Sequence, residues 1–297
     1  MSNALADALV KLLKTGTDAG SSAFTPAQRE ALDDLTRRMS ALAVRPKGRG
    51  AVYQVLNRQA LESLLRQLRP MEAGDLDGSL PQRATNIATH RNSKSRKAGH
   101  EIHYVLMKAV GEGVLWRGSE RTLDLSSVTA AGAVGALPIE ITDDWHSDSP
   151  LWLVENQAVF DQTDWFPGAV PATLAYYGGE LSSRLLAWLA SRRRAPQIVL
   201  FADYDGVGLH NYMRLLDQCG TQCRFWLMPG WRELLTRFGN QTIWQDNHQR
   251  FVAASDRLAS SGASNEVLEL CRRMSREGLA LEQEAVWHAA AGRCSDS

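Results

Sequence analysis

The sequence predicts an α/β protein: a mainly parallel sheet flanked by helices in the C-terminal half, preceded by a smaller α+β part. Three stretches predict the sheet. Ile198 to Ala202 is a short apolar run after Pro196, and it ends in Asp203-Tyr-Asp205 with Gly206 and Gly208 behind. Leu151-Trp-Leu-Val154 is a second apolar run, ending in Glu155-Asn156. Between them Ala172 to Tyr177 passes through Gly178-Gly179 into Leu181, Leu185, Trp188 and Leu189 at helical spacing. Short unbroken apolar runs suit strands buried on both faces, and strands alternating with helices suit a parallel sheet.

The N-terminal elements follow in order. Leu5, Leu9, Leu12 and Leu13 mark an amphipathic helix, and Gly16 to Ala23 reads as a Gly/Ser-rich connection. Thr25-Pro26 opens a second helix, with Thr as N-cap and Pro at the first helical position, carrying Leu32, Leu35, Met39 and Leu42. Pro46 to Gly50 breaks it, Ala51 to Leu56 reads as a strand, and Asn57 caps a helix with Leu61, Leu64, Leu65 and Leu68. This order suggests winged-helix-like character. Residues 101–145 alternate short strand-like runs, and the polar break Asp143 to Asp148 places the boundary there, giving 1–145 and 146–297. Beyond Arg224 to Met228, another strand, the chain is read as helical: Trp231 to Phe238, Gln249 to Ala259, Asn265 to Arg276, then Leu279 to Glu284.

Composition narrows the function classes. Of 297 residues 44% are apolar and 22% charged, with Lys+Arg and Asp+Glu both 33, so the formal net charge is zero. A stand-alone nucleic-acid binder is usually basic, so any positive charge must be local or a partner must bring the polymer. One such local run exists: residues 81–100 hold no acid but include Arg91, Lys94, Arg96 and Lys97, expected to contact phosphate backbone or simply to form a solvated loop. Cys219, Cys223, Cys271 and Cys294 lack the spacing of a zinc site and read as thiols of a reducing cytoplasm. No stretch reads as a signal peptide or a membrane span.

The chemistry concentrates at two strand ends. Residues two apart on a strand share a side, so Asp203 and Asp205 project together, at the edge where open parallel sheets bind ligands. Two carboxylates there repel unless a proton or cation lies between them. Oxygen ligands suit Mg²⁺ or Mn²⁺. Asp203 and Asp205 are therefore the expected metal ligands and Glu155 a ligand or general base; Gly206 and Gly208 are expected to let backbone approach a phosphate.

The order strand-Glu, strand-Gly-Gly-helix, strand-Asp-x-Asp-helix resembles the Toprim domain of topoisomerases, primases and nucleases. With Val-Glu-Asn at the first strand end, Tyr-Gly-Gly before the helix, Phe-Ala-Asp-Tyr-Asp-Gly-Val-Gly at the turn and the late Leu281 to Glu284, the chain is similar to the Toprim subunits of Wadjet plasmid-defence systems (the JetD or MksG family), relatives of the topoisomerase VI A subunit. The resemblance implies a Rossmann-like Toprim domain over 146–297 and a dimeric endonuclease. It implies double-stranded plasmid DNA delivered by an SMC/kleisin/kite-type complex. It also implies Glu155, Asp203 and Asp205 on Mg²⁺ or Mn²⁺, with Glu282 or Glu284 completing a second metal position.

Alternatives share the residues. A topoisomerase VI A-like transesterase needs a nucleophilic tyrosine, for which Tyr53 and Tyr104 are the N-terminal candidates, both in apolar runs that suit core packing. A non-catalytic DNA-structure-binding subunit would use the carboxylates only for local folding. A haloacid-dehalogenase-type phosphatase would place Asp-x-Asp on its first strand, which the late position here does not suit.

Overall fold

Capping signals set the first elements of the N-terminal unit. The structure, a computed structural model, describes residues 3–48, 50–71, 80–90, 102–168 and 170–291. It divides into two units, Met1–His100 and Glu101–Ser297. In the first, α1 (Asn3–Thr15) leads to β1 (Asp18–Gly20), and α2 (Pro26–Arg38) starts at a capping box in which Thr25 and Gln28 bond reciprocally. Then come β2 (Leu42–Lys47), β3 (Gly50–Val55), α3 (Arg58–Leu68), capped by Asn57 as expected, and α4 (Gln82–His90). The three strands form an antiparallel sheet in the order β1-β3-β2 over a core of Leu9, Leu12, Leu32, Tyr53 and Leu61. Two expectations change. The Gly/Ser connection contains β1, and α2 stops at Arg38, so Leu42 belongs to β2 although its spacing continues the helical row. Pro46 is tolerated because β2 lies at the sheet edge, where a missing N–H costs no ladder bond.

In the second unit β4 (His103–Val110), β5 (Leu115–Arg117), β6 (Thr122–Asp124), α5 (Leu125–Gly132) and β7 (Gly135–Ile139) precede the predicted parallel strands. Those follow as β8 (Leu151–Val154), α6 (Gln157–Asp161), β9 (Ala172–Tyr176), α7 (Ser183–Ser191), β10 (Ile198–Phe201), α8 (Gly206–Cys219) and β11 (Cys223–Phe225). The remainder is α9 (Trp231–Phe238), α10 (Gln241–Ser260), α11 (Asn265–Glu277) and α12 (Val286–Ala291). A six-stranded mixed sheet runs β11-β10-β8-β9-β4-β7, with β11, β10, β8 and β9 parallel and β4 and β7 antiparallel to their neighbours. β8 and β10 are buried along their whole length, as their unbroken apolar runs predict.

Residues 101–145, assigned by sequence to the first part, pack in the second unit because β4 and β7 extend its sheet; the boundary moves from about residue 145 to His100/Glu101. The polar break at 143–148 lies within the second unit instead. Arg194, fully buried, donates to Asp143 Oδ1 at 2.8 Å and to the Asp143 and Trp145 carbonyls at 2.9 and 3.0 Å. Asp143 also accepts from the Trp188 indole at 2.8 Å, so one buried ion pair ties this loop to α7. Among the described residues no helix is long and apolar enough to cross a membrane.

Arg194→Met should cost about 3–5 kcal/mol of stability, because it strands a desolvated carboxylate. Adding Asp143→Asn should recover part of the loss. Urea unfolding checks both, and an unchanged midpoint for Arg194→Met alone would refute a structural role for the pair.

Candidate functional site

Adjacent parallel strands with Phe201 opposite Val154 put the ends of β8 and β10 at one rim. The next residues converge there: the Asp203 N–H donates to Glu155 Oε2 at 3.3 Å, and the Tyr177 hydroxyl, one residue past β9, donates to the same oxygen at 3.0 Å. Between the two aspartates Tyr204 is fully buried, its hydroxyl accepting from the Met228 N–H at 2.6 Å. Anchoring the middle residue in the core leaves Asp203 and Asp205 at the rim.

The C-terminal segment closes over this rim. Tyr204 and Leu281 exchange backbone hydrogen bonds at 2.7 and 3.0 Å, which carries Gln283 across the strand ends. The Gln283 N–H donates to Asp203 Oδ1 at 2.7 Å and its side-chain amide to the Phe201 carbonyl at 2.6 Å. Its Oε1 accepts from the Asn156 N–H at 2.6 Å. Asn156 in turn caps α6 through Oδ1 and donates through Nδ2 to Glu284 Oε1. Glu284 Oε2 is buried and, among the described residues, has no hydrogen-bond partner. Residues 279–284 are therefore an extended bridge and the start of a 3₁₀ turn (Gln283–Ala285), not the helix the sequence suggests. Glu282 is exposed, yet its charge, like that of Glu284, acts on Asp203.

The two members of the Asp pair differ. Asp205 is the N-cap of α8: Oδ1 accepts from the Val207 and Gly208 N–H groups at 2.9 and 2.8 Å, and Oδ2 from Asn247 Nδ2 at 3.0 Å. Asp203 gives one oxygen to Gln283, and Glu155 gives one to Tyr177 and Asp203. Among the described residues, Asp203 Oδ2 and Glu155 Oε1 make no hydrogen bond. The glycines also serve the protein: a Cβ on Gly206 would collide with the Asn247 carbonyl of α10, and one on Gly208 with the Asp203 carbonyl. The close approach expected of a phosphate is made by α10 and by the chain's own turn. Arg91, Lys94, Arg96 and Lys97 lie outside the described residues. Tyr53 is a core residue as expected, its hydroxyl donating to Asp33 at 2.8 Å, whereas Tyr104 is 65% exposed on β4.

Crowding like charges in a half-dry rim raises their proton affinity. Burial, then the Asp203 charge, pushes Glu155 up to about 8, with the Tyr177 hydroxyl opposing. Burial pushes Asp203 up to about 7, opposed by the Gln283 N–H and reinforced by Asp205, Glu284 and Glu282. Burial also raises Asp205, against the helix N–H groups and the Arg250 charge. The donor set fits a hard divalent cation: all carboxylate oxygen, electrostatically unrelieved, with an unpartnered Glu284 oxygen beside it. Among the described residues no group of three or more His, Cys, Asp or Glu side chains is arranged to hold a metal ion, so the carboxylates border the rim without enclosing a centre.

Sequence reasoning missed Gln283, Tyr177, Asn156 and Asn247 as site builders. Tyr177 and Asn156 adjoin recognised signals, and Gln283 lies within the late acidic stretch. Asn247 has no local signal; it sits in the first half of α10, which begins at the Asn240 cap, earlier than its apolar spacing indicates.

A glutamate ordinarily titrates near 4.5 and Glu155 near 8 in the folded state. Between these values the folded chain keeps a proton that the unfolded chain has released, so stability falls as pH rises through that window. The loss should be on the order of a few kcal/mol. Thermal unfolding in EDTA should give a lower Tm at about pH 8 than at about pH 6. Glu155→Gln should flatten that dependence and raise the Tm at the alkaline end. A pH-independent Tm in the unaltered protein would sink the electrostatic reading.

Among curated proteins no relative matches this chain. A family model described as a domain of unknown function, DUF7281, matches residues 115–291, which runs from β5 to the end of α12 and contains Glu155, Asp203, Asp205, Glu282 and Glu284. With more than half of its length matched, and the five acidic residues within the match, the chain belongs to the DUF7281 family.

Proposed function

We propose that the chain is a Mg²⁺- or Mn²⁺-dependent DNA endonuclease of Toprim type, hydrolysing phosphodiester bonds at the rim formed by Glu155, Asp203 and Glu284. The observation that carries this reading is the Asp203 N–H bond to Glu155 Oε2, which joins acidic ends of neighbouring parallel strands whose charges have no basic partner between them. A divalent cation held there would neutralise the cluster, polarise a phosphate oxygen and activate a water. Asp203 Oδ2 and Glu284 Oε2 are the oxygens that would hold it. Tyr177 fixes the Glu155 carboxylate, and Oε1, bare of protein partners, takes the proton of the attacking water. Asp205 positions rather than reacts: it fastens the start of α8 and, through Asn247, α10.

The wider reading is that this enzyme acts as a homodimer on circular double-stranded DNA brought by an SMC/kleisin/kite-type complex. A net charge of zero supports delivery by a partner, since the chain has little bulk attraction for DNA. The order helix, strand, helix, hairpin, helix in the first unit supports a winged-helix role there. One observation favours a transesterase instead. β4 runs antiparallel to β9 with Leu106 opposite Tyr176, so Tyr104 stands exposed at the same rim as Glu155.

Purified protein incubated with supercoiled plasmid should nick it in Mn²⁺ or Mg²⁺ and not in EDTA. Asp203→Ala and Glu155→Gln should each lower the rate on the order of 10²-fold or more while retaining the fold by circular dichroism. Full activity in either variant refutes the assignment. Protein covalently linked to DNA ends on a denaturing gel, lost in Tyr104→Phe, would replace hydrolysis with transesterification.

A further inference from the structure

Among the described residues, one arginine on the α10 side of the rim makes no ion pair. α10 packs on the start of α8 so closely that the Asn247 carbonyl and Phe251 N–H occupy the space a Gly206 side chain would need. Arg250 lies between those two contacts and one turn beyond Asn247, whose amide holds Asp205. Residues three apart share a helix face, so Arg250 stands over the start of α8. Its charge acts on Asp205 and, more weakly than those of Arg214 and Glu180, on His210, the half-buried imidazole at the fifth position of α8. Neighbouring arginines on these helices are matched: Arg214 pairs with Glu180 at 3.2 Å, and Arg257 with Asp217 at 3.3 Å. Arg250 is exposed and, among the described residues, makes no ion pair or hydrogen bond.

An unpaired guanidinium beside a cluster of carboxylates would ordinarily collapse onto one of them. Here Asp205, on which its charge acts, is already satisfied by two backbone N–H groups and Asn247, which leaves the fork of Arg250 open. An acidic rim alone also repels a polyanion, so a phosphodiester needs a positive contact on its approach. Guanidinium geometry matches two phosphate oxygens at once.

We propose that Arg250 is the seat for a non-bridging phosphate oxygen of the nucleic-acid strand that enters the rim. This rests on the nuclease reading and assigns which side of the rim the substrate backbone follows: along α8 and α10, not across the Gly178-Gly179 loop, where Arg214 is already engaged by Glu180.

The test uses the full chain and a fluorescein-labelled DNA duplex, followed by anisotropy with Ca²⁺ in place of Mn²⁺, and Mn²⁺ binding followed separately by calorimetry. Arg250→Ala should weaken DNA binding on the order of tenfold and reduce the slope of log affinity against log salt by about 1, with Mn²⁺ binding kept. Arg250→Lys should keep the slope, and Arg257→Ala, on the same helix but paired, should change neither quantity. Unchanged affinity and slope in Arg250→Ala overturns the proposal. So does an equal loss in Arg257→Ala, which would mark a diffuse charge effect. If the unaltered protein binds no Mn²⁺ yet Arg250→Ala still loses DNA, the nuclease reading falls and the phosphate seat stands. If the unaltered protein binds no DNA, both fall.

Discussion

Two backbone hydrogen bonds between Tyr204 and Leu281 hold the rim together. They lay a distant segment antiparallel on the Asp203-Tyr-Asp205 turn, and the contacts of Gln283 and Glu284 with the acidic cluster follow from that alignment. Gln283 then reaches both strand ends, with its N–H on Asp203, its amide N–H on the Phe201 carbonyl and its carbonyl on the Asn156 N–H. A neutral amide is suited to this place. It satisfies donors and acceptors together and adds no charge to a rim that already has several negative groups.

The same geometry divides labour between residues that look equivalent in the chain. Asp205 spends its oxygens on the α8 N-terminus and Asn247, where a carboxylate also complements the helix dipole. Asp203 and Glu155 keep one oxygen each bare and bear the electrostatic stress. The stress is tolerable because the aromatic groups beneath are well packed: Phe201 lies against Trp226 and Trp165 at centroid separations of 4.6 and 4.8 Å. That rigid floor fixes the ends of β8 and β10, so repulsion cannot relax by strand movement.

Much of this was legible in the sequence because the informative features are local. Apolar runs four or five residues long, ending in acid, mark β8 and β10, and Thr25-Pro26 and Asn57 mark helix starts by capping chemistry. The misreadings have physical causes. Leu42 continues the helical row of α2 while belonging to a strand, because spacing alone does not register where a helix is capped. β4 alternates, but Tyr104 and Leu106 put apolar side chains on the exposed face, which blurs the inside-outside pattern and hid its place in the sheet. Glu282 and Glu284 were recognised as site candidates, but their backbone was not, since an isolated bridge depends on a partner far along the chain. Gln283 was illegible: a glutamine between two glutamates has no local signature for burial.

The position of Gln283 has a consequence during synthesis. A chain short of Leu281 can pair β8, β9 and β10 and so gather Glu155, Asp203 and Asp205, yet it lacks the Gln283 backbone N–H that satisfies Asp203 Oδ1 and the side-chain amide that satisfies the Phe201 carbonyl and the Asn156 N–H. Until the ribosome releases that segment, the strand ends stay hydrated and loosely set. The rim is therefore completed only when the segment from Leu281 joins strand ends that can already pair without it.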